Sequence, residues 1–530
     1  MIYKYFFEIL GGLSLIIYGI KLMAMGTENV ASEKIKVIYN KISKNIFKNM
    51  LIGTIVTAIL QSSTSTTVMI IALVNSYTVN IFQASAFIFG ANIGTTITAQ
   101  FMAINYNALV PLVLSFGILL ILTNRGKYKE YGNILFGLSL IIFGMYLMQG
   151  GFEQIHSEFW FKSVLETLTS SILIEIALGI LVSGILQNSS ASIGLLMAVS
   201  AVSHISITSA LPILFGNNIG SCISVLLSSI GTSKASKKAA LIHLFFNIFG
   251  TIIFLIFMNP FGQFIAVLSP NNIKLQIANS HILFNLINAL ILLLFIPYIE
   301  KFVNILVSGE DKYVERSGLD DRLLETPIIA VAQTQKEILK MAVLTRDNLE
   351  LAFNSFYNNT LEFSELIDER ENIINRYEKD ITLFLVKLSN SKISKEEIGI
   401  VTRFFNQVKD IERIGDLSET IGNFLKEKQV KKIHLSESAK GDLMEMYKLV
   451  IESFNLCIEI LENKDIGKCS RVIYIEKIAD SLEDELRSTN IKRLNEGKCN
   501  AENSALFLDM VNNLERITDH SKNLVQVMLN

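Results

Sequence analysis

Charge is missing where a soluble protein could not do without it. From Asn49 to Asn124 the chain has no Asp, Glu, Lys or Arg, and from Thr167 to Ser233 the one such residue is Glu175. Segments lying in lipid must avoid charge, so these stretches exclude a soluble fold for the first part of the chain. Cysteine is scarce as well. Cys222, Cys457, Cys469 and Cys499 stand without CxxC spacing, which argues against a disulfide framework or a thiolate metal site. Three of them fall in the charged part, which suits a reducing cytoplasm. The first apolar run, Tyr5 to Met25, has little basic leader beyond Lys4 and no small-x-small cleavage site. It therefore reads as a retained helix, not a signal peptide. A P-loop and a nucleophile–base set are also missing, so an enzyme is not expected.

What is present divides sharply. The net charge of -2 over 530 residues averages two unlike parts. Beyond about Ser308 the chain turns charge-dense and loses its long apolar runs. The expected organisation is an all-α protein with a polytopic membrane domain at 1–305, a linker at 306–330 and a helical domain at 331–530. The membrane domain repeats itself. Ile9 to Met23 matches Ile134 to Met148, Gly53 to Ser63 (GTIVTAILQSS) matches Gly179 to Ser189 (GILVSGILQNS), and Phe89 to Thr95 matches Phe215 to Ser221. Three blocks in one register, apart from a slip of one residue, define repeat one at 1–125 and repeat two at 126–260, with an extra helix at 275–300.

Loop charges orient the copies. The loop from Thr27 to Asn49 carries Lys34, Lys36, Lys41, Lys44 and Lys48, the next carries Arg125, Lys127 and Lys129, and a third carries Lys234, Lys237 and Lys238. These are expected on the cytoplasmic side, and the acidic stretch from Glu153 to Glu166 outside. The helix at Tyr5 then runs inward and its partner after Arg125 runs outward. Ala239 to Met258 exits and Ile277 to Ile299 returns, which leaves the C-terminal domain in the cytoplasm. Inverted repeats are common in secondary transporters, with the site at their interface.

Each copy centres on a hydroxyl-rich motif. Gln61 is followed by Ser62, Ser63, Thr64, Ser65, Thr66 and Thr67, and Gln187 by Asn188, Ser189, Ser190, Ala191 and Ser192. Ahead of each lies an apolar stretch of roughly a dozen residues, too short to span but suited to half of a re-entrant hairpin. A broken helix leaves N–H groups that attract anions and carbonyls that attract cations. No carboxylate is near, which disfavours a divalent ion. Neutral oxygens suit Na⁺, and hydroxyls with amide N–H groups suit a small oxyanion; packing between helices is the plainer use of any single serine. Asn92 and Thr95, and Asn218 and Ser221, follow the motifs at matched distances and read as the second half of each site. His243 with Asn247, and His281 with Asn285, share helix faces. They read as hydrogen bonding between helices, with a proton relay as the alternative. Glu175 is expected near the outer interface and outside the site.

QSSTSTT, QNSSASI, GANIGTT and GNNIGSC resemble the paired motifs of the type II sodium–phosphate cotransporters over about residues 1–305. The resemblance implies coupled movement of Na⁺ and inorganic phosphate. Gln61, Ser62, Ser63 and Thr64 correspond to the first motif and Gln187, Ser189 and Ser190 to the second. Asn188 departs, since serine is usual there, and that puts one side-chain contact in question.

Beyond Thr326 the pattern is helical. Ile367, Ile374, Tyr377, Ile381, Phe384 and Leu388 form an a/d-like stripe, and Ile475, Ile478, Leu482 and Leu486 continue the theme. A second duplication sets Ile411 to Ser418 (IERIGDLS) against Leu514 to Ser521 (LERITDHS). Glu412 with Asp416, Glu515 with Asp519, and Glu476 with Asp480 stand four apart. Such carboxylates either face inward to bind metal or form a solvated face tied by Arg413 and Arg516. The doubled ERIxDxS pattern resembles the PhoU family, which implies a transition metal at these pairs and a regulatory link to phosphate. The first-repeat counterparts of Glu476 and Asp480 read as Asp368 and Asn372, a weakened cluster.

The expectation is a sodium-coupled phosphate symporter in the cell membrane with a cytoplasmic regulatory domain. A phosphate exporter and a membrane-anchored phosphate sensor are the alternatives. Expected partners are phosphate, the bilayer, a second copy and a cytoplasmic regulatory protein, and no nucleic acid.

Overall fold

The structure, a computed structural model, describes residues 2–39, 41–76, 78–104, 107–203, 205–309, 317–391, 393 and 395–529. It is helical throughout, with no strand among the described residues. The chain divides into two compact units, 1–312 and 313–530. Residues 310–316 of the expected linker, and the Lys36 side chain, lie outside the described residues.

The first unit opens with α1 (Ile2–Tyr39), α2 (Ile46–Leu60), α3 (Ser63–Asn75), α4 (Ile81–Ala103) and α5 (Val110–Leu122). It continues with α6 (Gly126–Ile155), α7 (Phe159–Leu168), α8 (Ile172–Leu186), α9 (Ser189–Ser203) and α10 (Ile207–Ser228). Then come α11 (Lys234–Ile256), α12 (Met258–Leu268), α13 (Ile273–Leu294) and α14 (Ile296–Leu306). Among the described residues, α1, α6, α10, α11 and α13 contain stretches long and apolar enough to cross a membrane. The protein is therefore a membrane protein. The Lys-bearing segment expected as a loop from Thr27 is instead helical to Tyr39. Charge removes a segment from lipid but does not end a helix, and Glu, Lys and Ala are good helix formers.

The equivalent helices α1 and α6 lie side by side and run in opposite directions. Gly12 abuts Gly144 and Met148, Gly19 abuts Gly137 and Ile141, and Gly26 abuts Glu130 and Ile134, so residue numbers rise along one helix as they fall along the other. A Cβ on Gly12 would fall 2.5 Å from Gly144 O; only glycine admits this backbone approach, the usual device for packing helices in lipid. Within each copy the next elements repeat their caps at a constant offset. Asn45 and Ser171 cap α2 and α8, and Asn80 and Ser206 cap α4 and α10.

The segments α2 and α3 form a hairpin, as do α8 and α9. An arm of 15 residues rises only about 22 Å, short of the roughly 30 Å hydrocarbon core. Both ends of hairpin one lie at one level. Gln83 Nε2, at the start of α4, donates to Ser43 O ahead of α2 at 3.1 Å, and five residues join α3 to α4. In copy two Ser209, at the start of α10, lies near the Glu175 carboxylate at the start of α8. Glu175, expected near the outer interface, is 4% exposed. Each first arm lies against the following long helix at a glycine: a Cβ on Gly53 would fall 2.1 Å from Phe87 O, and one on Gly179 2.1 Å from Ile213 O.

The second unit contains α15 (Pro327–Asn358), α16 (Ser364–Ser389), α17 (Lys395–Val430), α18 (Glu437–Asn463), α19 (Cys469–Asn495) and α20 (Ala501–Leu529). Two three-helix sets pack together, with Phe353 stacked on Tyr447 at 3.7 Å and Asn513 Nδ2 donating to Leu417 O. The six stripe residues of α16 are all buried. In α19 Ile475 and Leu486 are buried, while Ile478 and Leu482 are half-buried and Val472 and Ala479 take the core positions.

Candidate functional site

Each hairpin breaks at its glutamine. Gln61 (φ 54, ψ 21) and Gln187 (φ 49, ψ 22) both adopt the left-handed conformation, which disfavours a residue with a Cβ and usually selects glycine. Their N–H groups bond Thr57 O at 2.8 Å and Ser183 O at 2.9 Å and close the first arm. The next residue starts the second arm. Ser62 Oγ accepts from Ser65 N–H at 3.1 Å, and Asn188 Oδ1 accepts from Ala191 N–H at 2.9 Å. Serine and asparagine are equally good N-caps. The residue that departs from the family pattern thus performs the same local task. The first-turn N–H groups of Ser63 and Thr64, and of Ser189 and Ser190, have no partner within their helices and mark the positive ends of two half-helix dipoles.

The side chains differ between copies. Gln61 is buried; its Nε2 donates to Ala58 O, and its Oε1 accepts from Thr98 Oγ1. Gln187 is exposed and makes no equivalent bond to Ser224, the counterpart of Thr98, among the described residues. In the first motif, Ser62 Oγ donates to Ser65 Oγ at 3.0 Å and Thr66 Oγ1 to Ser62 O at 2.8 Å. Ser63, Ser190 and Ser192 are buried, while Thr64 and Ser189 are half-buried. Two hydroxyls overlooked in the sequence join them. Thr57 and Ser183 occupy equivalent positions, are fully buried, and have no hydrogen-bond partner among the described residues. The aligned blocks set one over the other four residues before the glutamine, and that was the available signal.

Asn92 and Asn218 are not brought to the glutamines by hydrogen bonds. Two residues along a helix turn the side chain by about 200°, and Gly94 is the residue of α4 that faces Thr57. Asn92 Oδ1 instead accepts from His243 Nε2, and Asn218 Oδ1 from His281 Nε2, both at 3.2 Å. Asn247 and Asn285 each donate to the carbonyl of their own histidine, at 3.0 and 2.8 Å. Phe246 lies on Phe89 at 4.9 Å and Phe284 on Phe215 at 5.1 Å. So α11 meets α4 as α13 meets α10, and the helix set apart as extra serves copy two as α11 serves copy one. The histidines bond between helices, with Nδ1 of each lacking a partner. Thr95 is buried beside Asn92, and Ser221 Oγ donates to Asn218 O at 2.7 Å.

In the second unit two acidic clusters occupy equivalent places. Ligand atoms of Glu476, Asp480 and Asp519 lie within 4.8 Å of one another. Lys522 Nζ bonds Glu476 and stands 3.9 Å from Asp519. Burial, then Asp519, Glu483 and Asp480, push the Glu515 carboxyl up to about 7. In the other cluster the residue facing Glu412 and Asp416 is Glu371. It is 2% exposed, with both carboxylate oxygens lacking a hydrogen-bond partner among the described residues. Burial, then Asp416, Glu419 and Glu412, push it up to about 8. The expected counterparts, Asp368 and Asn372, are elsewhere: Asp368 pairs with Lys426 at 3.0 Å, and Asn372 donates to Asp368 O. Glu371, Asn375 and Glu378 repeat the spacing of Glu476, Asp480 and Glu483. A misregister of three residues is nearly one helical turn, so pattern alone could not exclude it. Arg413 pairs with Asp416 at 3.1 Å, as the solvated-face reading expects.

Paired broken hairpins between helices of opposite direction, joined in sequence to a doubled three-helix bundle, define a polytopic membrane transporter with an appended helical domain. Residues 15–150 and 140–269 each match the family model described as Na+/Pi-cotransporter, and residues 338–425 and 443–528 match the PhoU domain. The membrane part of the chain belongs to the Na+/Pi-cotransporter family, and the C-terminal part consists of PhoU domains. The chain is 22% identical over 518 residues to YjbB of Salmonella typhimurium, a protein provisionally named for inorganic phosphate export, covering 96% of this chain and 95% of that protein. It is 28% identical over 256 residues to the uncharacterised YqeW of Bacillus subtilis (48% of this chain, 82% of YqeW). It is 26% identical over 202 residues to a phosphate-specific transport system accessory protein PhoU homolog of Thermotoga maritima (37% of this chain, 84% of the homolog).

Proposed function

We propose that this protein carries inorganic phosphate across the cell membrane together with Na⁺, and that its PhoU domains lie in the cytoplasm and regulate the flux. The observation that carries the reading is the pair of uncharged breaks at Gln61 and Gln187, each joining the carbonyl end of one half-helix to the N–H end of another. The first-turn N–H groups of Ser63, Thr64, Ser189 and Ser190, with the side chains of Ser62, Ser63, Thr64, Ser65, Thr66, Asn188, Ser189, Ser190 and Ser192, are the proposed anion contacts. Carbonyl and hydroxyl oxygens at the ends of α2 and α8, with Thr57 and Ser183 beside them, suit Na⁺. Asn92, Thr95, Asn218 and Ser221 shape the site from the flanking helices. Labelled phosphate uptake into proteoliposomes under a Na⁺ gradient tests this; equal uptake with K⁺ would refute the coupling.

Export is the second reading, favoured by similarity along nearly the whole length to a protein provisionally named for export. Efflux from preloaded vesicles, measured with the Na⁺ gradient in each direction, separates the two. Lys41, Lys44 and Lys48 ahead of hairpin one support a cytoplasmic C-terminal domain.

The metal expectation divides between the clusters. Glu371, with its unpartnered buried carboxylate, fits a divalent transition ion together with Glu412 and Asp416. At Glu476, Asp480, Glu515 and Asp519 the Lys522 ammonium already supplies a cation. Metal analysis of the full-length protein should find metal lost in Glu371→Gln and gained in Lys522→Met. The opposite pattern would reverse the assignment. A homodimer and a cytoplasmic regulatory partner complete the proposal.

A further inference from the structure

A cavity of about 210 Å³ lies between α8, α9 and α10 under the short helix α7. Leu178, Val182, Leu195, Leu196, Val199 and Ile213 line it, and Ser192 of the motif lies at its edge. The same space is filled in hairpin one. The counterparts Ile52, Val56, Met69, Ile70, Leu73 and Phe87 are each no more than 5% exposed. Bulk accounts for part of the difference, since Phe87 stands where copy two has Ile213 and Met69 where it has Leu195. The cavity therefore belongs to one copy and is not a feature of the repeat.

Its lining is almost wholly apolar, which favours an apolar ligand over water. Its surroundings identify the ligand. The outer face of α8 beside it is apolar and bare: Leu173 is 78% exposed, Leu181 59% and Ile185 71%. That face can only lie against lipid tails or another protein. The helix α7 bends 104° from α8 and ends the membrane arm with exposed Phe159 and Trp160 beside Lys162 and Glu166. Aromatic and charged residues together mark the headgroup level of a bilayer. The roof of the cavity thus lies where acyl chains begin, and its floor reaches toward the break at Gln187.

We propose that the cavity holds one acyl chain of a membrane phospholipid, which enters beneath α7 and lies along α8, α9 and α10. This site is independent of the transported ion and of the direction of transport. The test uses the full-length protein in proteoliposomes of phosphatidylethanolamine and phosphatidylglycerol, doped with a phosphatidylethanolamine that carries a diazirine on one acyl chain. Illumination should label peptides of α8 and α9 in the native protein. The label should be lost from them in Leu195→Met/Ile213→Phe, which copies the filling of hairpin one. Leu195→Met alone, a milder change, should reduce it. Unchanged labelling in the filled protein, or labelling confined to outward-facing residues, would overturn the proposal. So would a spontaneous disulfide between copies through Val164→Cys, because a second protein molecule would then cover the mouth.

Discussion

In hairpin one the glutamine at the break is buried and held at both ends of its carboxamide, by Ala58 O and Thr98 Oγ1. In hairpin two the glutamine adopts the same backbone conformation and is exposed. The second unit repeats the contrast: Glu371 is buried without a partner, whereas its counterpart Glu476 is met by Lys522. In both units the backbone plan is duplicated and the neutralising contact is not. Caps and left-handed turns depend on a few local atoms and survive duplication. A tie such as Thr98 to Gln61 depends on a neighbour from another helix, so each copy can set it separately. The side chains between the first hairpin and its following helix are buried, and the equivalent ones of the second line a cavity.

The largest expected effect asks whether the copies form one site. Gln61→Ala and Gln187→Ala should each reduce Na⁺-driven phosphate flux by roughly 100-fold, the consequence of losing about 3 kcal/mol of polar contacts. A normal flux in either variant would limit the site to the other hairpin. Next comes the contrast between the acidic clusters. Glu371 titrates near 8, above its ordinary 4.5. The unfolded chain therefore gives up this proton first, and the folded state loses stability as pH rises from about 4.5 through 8. Glu371→Gln should remove that loss and stabilise the metal-free protein at pH 8 by about 1–3 kcal/mol, with little gain at pH 4.5. Thermal unfolding at both pH values measures it. A smaller contrast concerns the breaks. Gln187→Gly should relieve the left-handed backbone and stabilise by about 1 kcal/mol, whereas Gln61→Gly should yield no net gain because two hydrogen bonds are lost. Equal gains would show that the Gln61 ties carry no energy. The smallest effect is at the cap. Asn188→Ser should change stability by a few tenths of a kcal/mol and Asn188→Ala by about 1 kcal/mol. A large loss of transport in Asn188→Ser alone would mean that the amide touches the ligand.

Much of this was legible beforehand, for reasons specific to each element. The hairpins were legible because an apolar run of roughly a dozen residues is too short to cross and too apolar to leave lipid. The α16 stripe was legible because its period matches a helix face. The full extent of α1 was not, since lysines removed it from lipid without stopping the helix. The partners of Asn92 and Asn218 were hidden because α11 lies 151 residues beyond Asn92 along the chain, and α13 lies 63 beyond Asn218. Glu371 was missed because Asp368 lies nearly one turn away on a similar face.

The sequence by itself determined that the first part of the chain carries apolar segments suited to lipid, that they are duplicated, and that each copy carries a break rich in neutral oxygens. These follow from residue type and spacing, which the chain carries wherever it folds. Only the tertiary structure decided which glutamine is tied, which histidine meets which asparagine, which acidic cluster has its own cation, and that one hairpin is filled while the other is hollow. Each of these depends on the side chains that distant helices bring to a shared surface, and packing in three dimensions, unlike periodicity, leaves no local mark in the chain.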